Sequence, residues 1–472
     1  MPRLSNLCAC FMAAIASLVM MLGSPCCTTA QVRYVSSSRG SDANSGLTED
    51  SPLKTINAAL KNGKDIRLAA GDVFYEYVIL HNQTLTRYGE GHNPELNGLR
   101  TLVGRPWVKF AENVWRIDLT SAPSTGYVVE GSTTLNNVGC LYETDKDELH
   151  GRKCFKLNEL QTDWDFFQAD LKTYQSKGEK CFDNLYLYYS GNPNDLQLAV
   201  SIGSHYGIKL YDSNVERVNV KGFGTGGINL YGTSNVRGCR VDVIGGSIML
   251  TGSESVCLGN GIDFWISKDA TDCVIEGNYI SRCYDCGGSI QGDGHPGATP
   301  RNIVYRDNLI SHCCQGWEDF LRNGDNTKFE NCRFENNYIV YTGLSGFGYP
   351  SKRFKYCNVL GNNFDGDRGM IIRNNTFVGG NYYCSGAYNK KYQSNNWDGN
   401  VHYIERGSFL LGNYGGTKDV IRIPSSGSSK EVVALYRELT NDTSTKFKVR
   451  SASRIDSLSQ RTINKYLKTH TY

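Results

Sequence analysis

An asparagine returns through the middle of the chain at nearly fixed intervals: Asn278, Asn308, Asn337 and Asn363, with steps of 30, 29 and 26 residues. Each sits in the same local pattern, CVIEGNYIS (273–281), IVYRDNLIS (303–311), CRFENNYIV (332–340) and CNVLGNNFD (357–365). IIRNNTFVG (371–379) is a shorter echo with Asn375, while GCRVDVIGG (238–246) and RVNVKGFGT (217–225) keep the frame without the Asn. So long a period, with β-type alternation and no helical run, predicts a solenoid of short parallel strands. Its coils stack, and equivalent residues form ladders. Asn suits a turn on such a ladder because it tolerates left-handed backbone and its amide can bond the next Asn. Cys273, Ile303 and Cys332, five residues before their Asn, suit a dry interior. Cys283 and Cys313, five residues after theirs, predict a second cysteine ladder.

These coils resemble the right-handed parallel β-helix of the pectin-lyase-like superfamily. YVSSSRGSDANSGLTEDSPLKTINAAL is similar to the opening of many secreted members, where a first strand and a short amphipathic helix cap the solenoid. AAGDVFYEYVIL followed by LTRYGEGHNPELNG resembles their first coils. The resemblance spans about residues 33–100 and 206–415. It implies an all-β fold: a right-handed parallel β-helix solenoid with an N-terminal helical cap and a β-rich insertion. It also implies a carbohydrate-active protein, although one fold hosts many chemistries. The N-T-D and G-H-G strings of polygalacturonases are missing, and GDGHPG only faintly echoes the second. The dense Asp cluster and Arg pair of calcium pectate lyases are missing too.

The expected organisation is a signal peptide over 1–30, an N-terminal cap and first coils over 31–100, and a β-rich insertion over 101–205. The main β-helix follows over 206–415, then a C-terminal cap and tail over 416–472. The opening segment carries Arg3 as its only charge, the apolar run FMAAIASLVMML and a small-residue cleavage site after Ala30. That run is too short to span a bilayer, so the mature chain is expected to be exported. Cys26 and Cys27 leave a lipid-anchored form as the less favoured alternative. EVVALYREL is expected to form a helix over the last coil, followed by a weakly ordered tail.

A net charge of +3 from dispersed basic residues argues against nucleic-acid binding. With 51 Gly, 29 Tyr and only 11 Pro in 472 residues, the composition suits short strands and tight turns rather than long helices. Four of the 17 cysteines fall in the first 30 residues, leaving an odd number that cannot all pair internally. Cys283, Cys286, Cys313 and Cys314 are open to three readings: packed free thiols, a disulfide, or a zinc site. The first is preferred.

A second strand follows a glycine in each coil: GGINLYG (226–232), NGIDFWIS (260–267), GGSIQGDG (287–294) and QGWEDFLRN (315–323). Aligning Ile228, Ile262, Ile290 and Trp317 as inward residues sends Asn229, Asp263, Gln291 and Glu318 outward in one column. Tyr231, Trp265, Asp293 and Phe320 form a second outward column, with Arg322 one step beyond. Asp319, a face-mate of Trp317, points inward and is expected to be hydrogen-bonded there or raised in pKa. His295 lies on the nearby loop QGDGHPGATP. The plain reading of such acids is that they are solvated on the outer face.

Amides and carboxylates beside aromatic rings suit a carbohydrate, with its hydroxyl fans and apolar C–H faces. The leading expectation is an exported polysaccharide-degrading glycoside hydrolase with Asp263, Glu318 and Asp293 catalytic. Asn229, Tyr231, Trp265, Gln291, His295, Phe320 and Arg322 would bind the polysaccharide or oligosaccharide. Coils stack about 4.8 Å apart. Asp263 and Glu318, two coils apart, are then roughly 9.6 Å apart at the backbone, and Asp293 and Glu318 about 8 Å, nearer the inverting than the retaining spacing. The hydrolase needs no cofactor or metal. The alternatives are a uronate-directed polysaccharide lyase, using Arg322 and His295 with Ca²⁺ on Asp263 and Asp293, and a non-catalytic glycan-binding β-helix.

Overall fold

The computed structural model describes residues 31–120, 137–203, 205–249, 257–266, 269–292, 298–321, 328–343, 357–361, 369–381, 383–385, 395–413, 421–440 and 442–472. The expected signal segment lies outside them, as do Asp293, His295 and Arg322 and the side chain of Phe320. Three ten-stranded sheets run the length of the molecule. Successive coils contribute one strand to each, as in Val274–Glu276, Tyr279–Cys283 and Cys286–Gly292. Among the described residues, the pairings between neighbouring coils of these three are parallel, apart from the antiparallel terminal pair Phe409–Asn413 with Ile421–Arg422. The fold is a parallel β-helix. One continuous apolar core fills its bore, from Val35 and Ile56 to Tyr436.

The asparagine ladder is real and fully buried. Asn308, Asn337, Asn375 and Asn400 each accept, through the side-chain oxygen, from the backbone N–H and side-chain amide of the ladder Asn one coil earlier (Asn278, Asn308, Asn337 and Asn375), at 2.9–3.1 Å. In the first coil of the ladder, the N–H of Cys239 takes the place of the donating Asn. Two details differ from the sequence expectation. The left-handed residue is the one before each ladder Asn: Gly277, Asp307, Asn336, Asn374 and Gly399. The partner of Asn337 is Asn375, whereas Asn363 lies outside the described residues. Cys357–Gly361 pairs instead with the strand Gln315–Leu321 in another sheet. A shared CNVL-like string hides this, because local pattern does not say which of three sheets a strand joins.

Residues 99–202 contribute a four-stranded and a five-stranded sheet, largely antiparallel, around a separate core of Trp107, Leu141, Phe166, Leu187 and Val200. The β-helix strands on either side pair directly: Val78–His81 with Tyr206–Tyr211, and Glu95–Asn97 with Asn219–Lys221. At the N-terminal end, Ile56–Leu60 is a short helix capped by Thr55, whose hydroxyl accepts from the Ala58 N–H. It buries Ile56 and Ala59 against the first coil. At the other end, Lys430–Thr440 buries Tyr436 in the bore. The following segment is not a loose tail. Lys446–Arg450 adds a tenth strand, and Ala452–Leu467 is a helix packing Ile463 and Tyr466 on Leu309, Val340 and Val378. Its apolar residues recur at helical spacing, which covers an otherwise open apolar stripe.

Candidate active site

The strands that carry the candidate residues are Tyr206–Tyr211, Gly226–Tyr231, Asn260–Ile266, Cys286–Gly292 and Gln315–Leu321. Their register fixes an outer column of Lys209, Asn229, Asp263, Ser289 and Glu318. Gln291 is therefore not in the column of Asp263 and Glu318. It lies two residues further on, between Trp265 and Phe320. The reason is the inward position before it. Ile262 and Trp317 pair with Gly288, where an added Cβ would press on Tyr305 at 3.2 Å and on the Trp317 indole at 3.4 Å. The bulky indole takes that space, and Ile290 packs one pleat later.

The outer column is not solvated. Asp263 is 2% exposed, Glu318 5% and Asn229 1%. Buried carboxyl groups need partners, and each of the two acids has an amide. Asn229 Nδ2 donates to Asp263 Oδ2 at 2.9 Å, and Gln291 Nε2 donates to Glu318 Oε2 at 2.7 Å. Burial pushes the Asp263 carboxyl up to about 7, with the Asn229 hydrogen bond and the Lys209 charge opposing the shift. Burial, then the charges of Asp285 and Asp319, hold Glu318 well above the usual carboxylate range.

Asp285 is a third carboxyl at this site that the alternation does not reveal. It stands on the corner before Cys286–Gly292, and burial pushes it up to about 7. Gln315 binds it twice, backbone N–H to its carbonyl at 3.0 Å and Nε2 to Oδ1 at 3.4 Å. Its only sequence signal is its place inside a C-x-x-C, which draws attention to the sulfurs. The Cys286 thiol faces the same cluster and donates to Asn260 Oδ1 at 3.2 Å. Burial and then the charges of Glu318, Asp285 and Asp263 keep that thiol protonated. Cys283, Cys286, Cys313 and Cys314 are free thiols, so the disulfide reading does not hold for them.

Asp263 Oδ1, Asn229 Oδ1 and Gln315 Oε1 are buried without a hydrogen-bond partner. Buried polar atoms are ordinarily satisfied, so three unsatisfied atoms beside one carboxyl cluster set this part of the outer column apart. The aromatic column is more constrained than expected. Tyr231 stacks on Tyr211 at 4.7 Å, and Tyr211 on His81 at 4.8 Å, so neighbouring rings already occupy these faces. Trp265 is half-buried beside Gln291. Asp319 is fully buried in the bore and accepts from the Trp317 indole N–H at 3.0 Å.

No protein-family model matches the sequence, and no curated protein matches it. Solved structures similar in chain path include XylC in complex with xylose, at 12% identity and TM-score 0.41, covering 89% of this chain and 82% of that one. A GH136 lacto-N-biosidase from Eubacterium ramulus is 12% identical at TM-score 0.37, covering 89% and 68%. A tailspike, gp61 of Pseudomonas phage phi297, is 11% identical at TM-score 0.15, covering 75% and 74%. No helix among the described residues is long and apolar enough to cross a membrane.

Proposed function

We propose that this chain is an exported glycan-degrading hydrolase in which Glu318 is the general acid and Asp263 the general base. The observation that carries the reading is the pair of buried carboxyls in one outer column, two coils apart, with small Ser289 between them. Two coil spacings are about 9.6 Å at the backbone, in keeping with the wide separation that admits a water in inverting hydrolysis. Glu318, held protonated by burial and by neighbouring acids, suits donation to the leaving-group oxygen. Asp263, pushed up to about 7 by burial, is ionised above neutrality and there suits proton removal from the attacking water. Asn229 and Gln291 orient these carboxyls through their amide donors. The step so written needs no metal.

The test is digestion of a panel of neutral, uronic and sulfated polysaccharides. Reducing ends and ultraviolet absorbance of unsaturated products are followed together. Reducing ends without absorbance are expected. Absorbance rising with the ends would replace this reading with a lyase, and silence on both channels would replace it with glycan binding.

A further inference from the structure

The hairpin of Val138–Glu143 and Glu148–His150 sets two acids directly across from each other, Glu143 opposite Glu148. Like charges in a cross-strand pair are destabilising unless a cation lies between them. His150 completes the group: its Nε2 is 3.1 Å from Glu143 Oε2 and 3.0 Å from Glu148 Oε2. That nitrogen is buried, yet makes no hydrogen bond of proper direction to either oxygen. The three ligand atoms lie within 4.8 Å of one another. Tetrahedral coordination with bonds of about 2.0–2.2 Å places ligand atoms roughly 3.3–3.6 Å apart, so a few tenths of an ångström of expansion about the His150 nitrogen would admit an ion.

We propose that Glu143, Glu148 and His150 form a binding site for a divalent transition metal of the zinc class, with a fourth position left for water. An imidazole nitrogen with two carboxylates suits such an ion, whereas calcium takes oxygen ligands alone. Glu143 is nearly fully buried, and the Lys146 ammonium now compensates it at 3.0 Å. Lys146 is more than half exposed and free to swing away, so the metal and the ammonium compete for one carboxylate. The hairpin turn also reaches the β-helix, because Asp147 pairs with Lys221 at 3.0 Å. A bound ion would therefore fix the turn that makes this contact. His150 stacks on Trp164 at 4.1 Å, which places a fluorescent reporter against the site.

The experiment is a Co²⁺ titration of the chelator-treated protein, read by visible absorption and by quenching of tryptophan fluorescence. Saturable bands without thiolate charge transfer are expected. Glu148→Gln alters an exposed side chain and should preserve the fold. It and His150→Gln should weaken binding by at least the roughly 10–100-fold that loss of a supporting partner alone costs. Lys146→Met should tighten binding, which a hairpin held only by ion pairs does not predict. No saturable signal at millimolar Co²⁺, or binding indifferent to Glu148→Gln and His150→Gln, would overturn the proposal.

Discussion

The indole N–H of Trp317 donates to Oδ2 of Asp319 at 3.0 Å, and both side chains are fully buried in the bore of the β-helix. The residue between them, Glu318, points the other way. Adjacent carboxyls thus serve opposite faces of one strand: Asp319 satisfies a core indole, and its charge helps hold the proton on Glu318. Asp319→Asn keeps an acceptor for the indole but removes the charge. It should fold and should move the alkaline limb of the pH–activity profile to lower pH. Asp319→Ala orphans the indole N–H and should cost about 1–3 kcal/mol of stability. Thermal unfolding and a pH–rate profile of the two variants check both statements.

Asp263 should weaken the fold at and above neutral pH. Its folded pKa of about 7 lies above the ordinary 3.8. Between these values the folded state holds a proton that the unfolded state has released. Its contribution is therefore most favourable below about pH 4 and declines as pH rises through 7, by as much as about 4 kcal/mol. Asp263→Asn removes that penalty. The variant should melt higher than the parent at pH 8, and the difference should shrink at pH 4 in calorimetry.

In the proposed hydrolysis the same group would set the acid limb of activity. A general base titrating near 7 predicts that kcat/KM falls as pH drops below about 7, with an optimum above neutrality. Because three acids share the site, the limb reports the set rather than one residue. An optimum near pH 4–5 would assign the base to another group.

The ladder asparagines should be the stability centre. Asn308 accepts from the backbone N–H and amide of Asn278 and donates to the Ile275 carbonyl at 3.0 Å. Asn308→Ala leaves these buried groups unpaired and should destabilise the chain by about 3 kcal/mol or more. Thermal melting checks it.

The ladder was legible in the sequence because a buried amide bonds its own kind one coil away, which forces the period into view. The outward direction of Asp263 and Glu318 was legible for a similar reason, since alternation fixes parity. Register was not: Gly288 stands where an apolar residue is expected, because the Tyr305 ring and the Trp317 indole take the space its side chain would need. Burial of the column was hidden too, since alternation names a side of the sheet and not what covers it. Asp285 was missed because it sits on a corner, outside any alternating strand. The helix Ala452–Leu467 was missed because its polar residues dominate the composition of the C-terminal segment.

The roles of Asp263 and Glu318 are tested most directly by comparing turnover of Asp263→Asn and Glu318→Gln with the parent on whichever glycan the parent cleaves. Circular dichroism and melting confirm that both variants fold. Each should lose activity by about 10²–10⁴-fold, the scale of a general acid or base, while glycan binding persists. Near-parental turnover in either folded variant would contradict these roles.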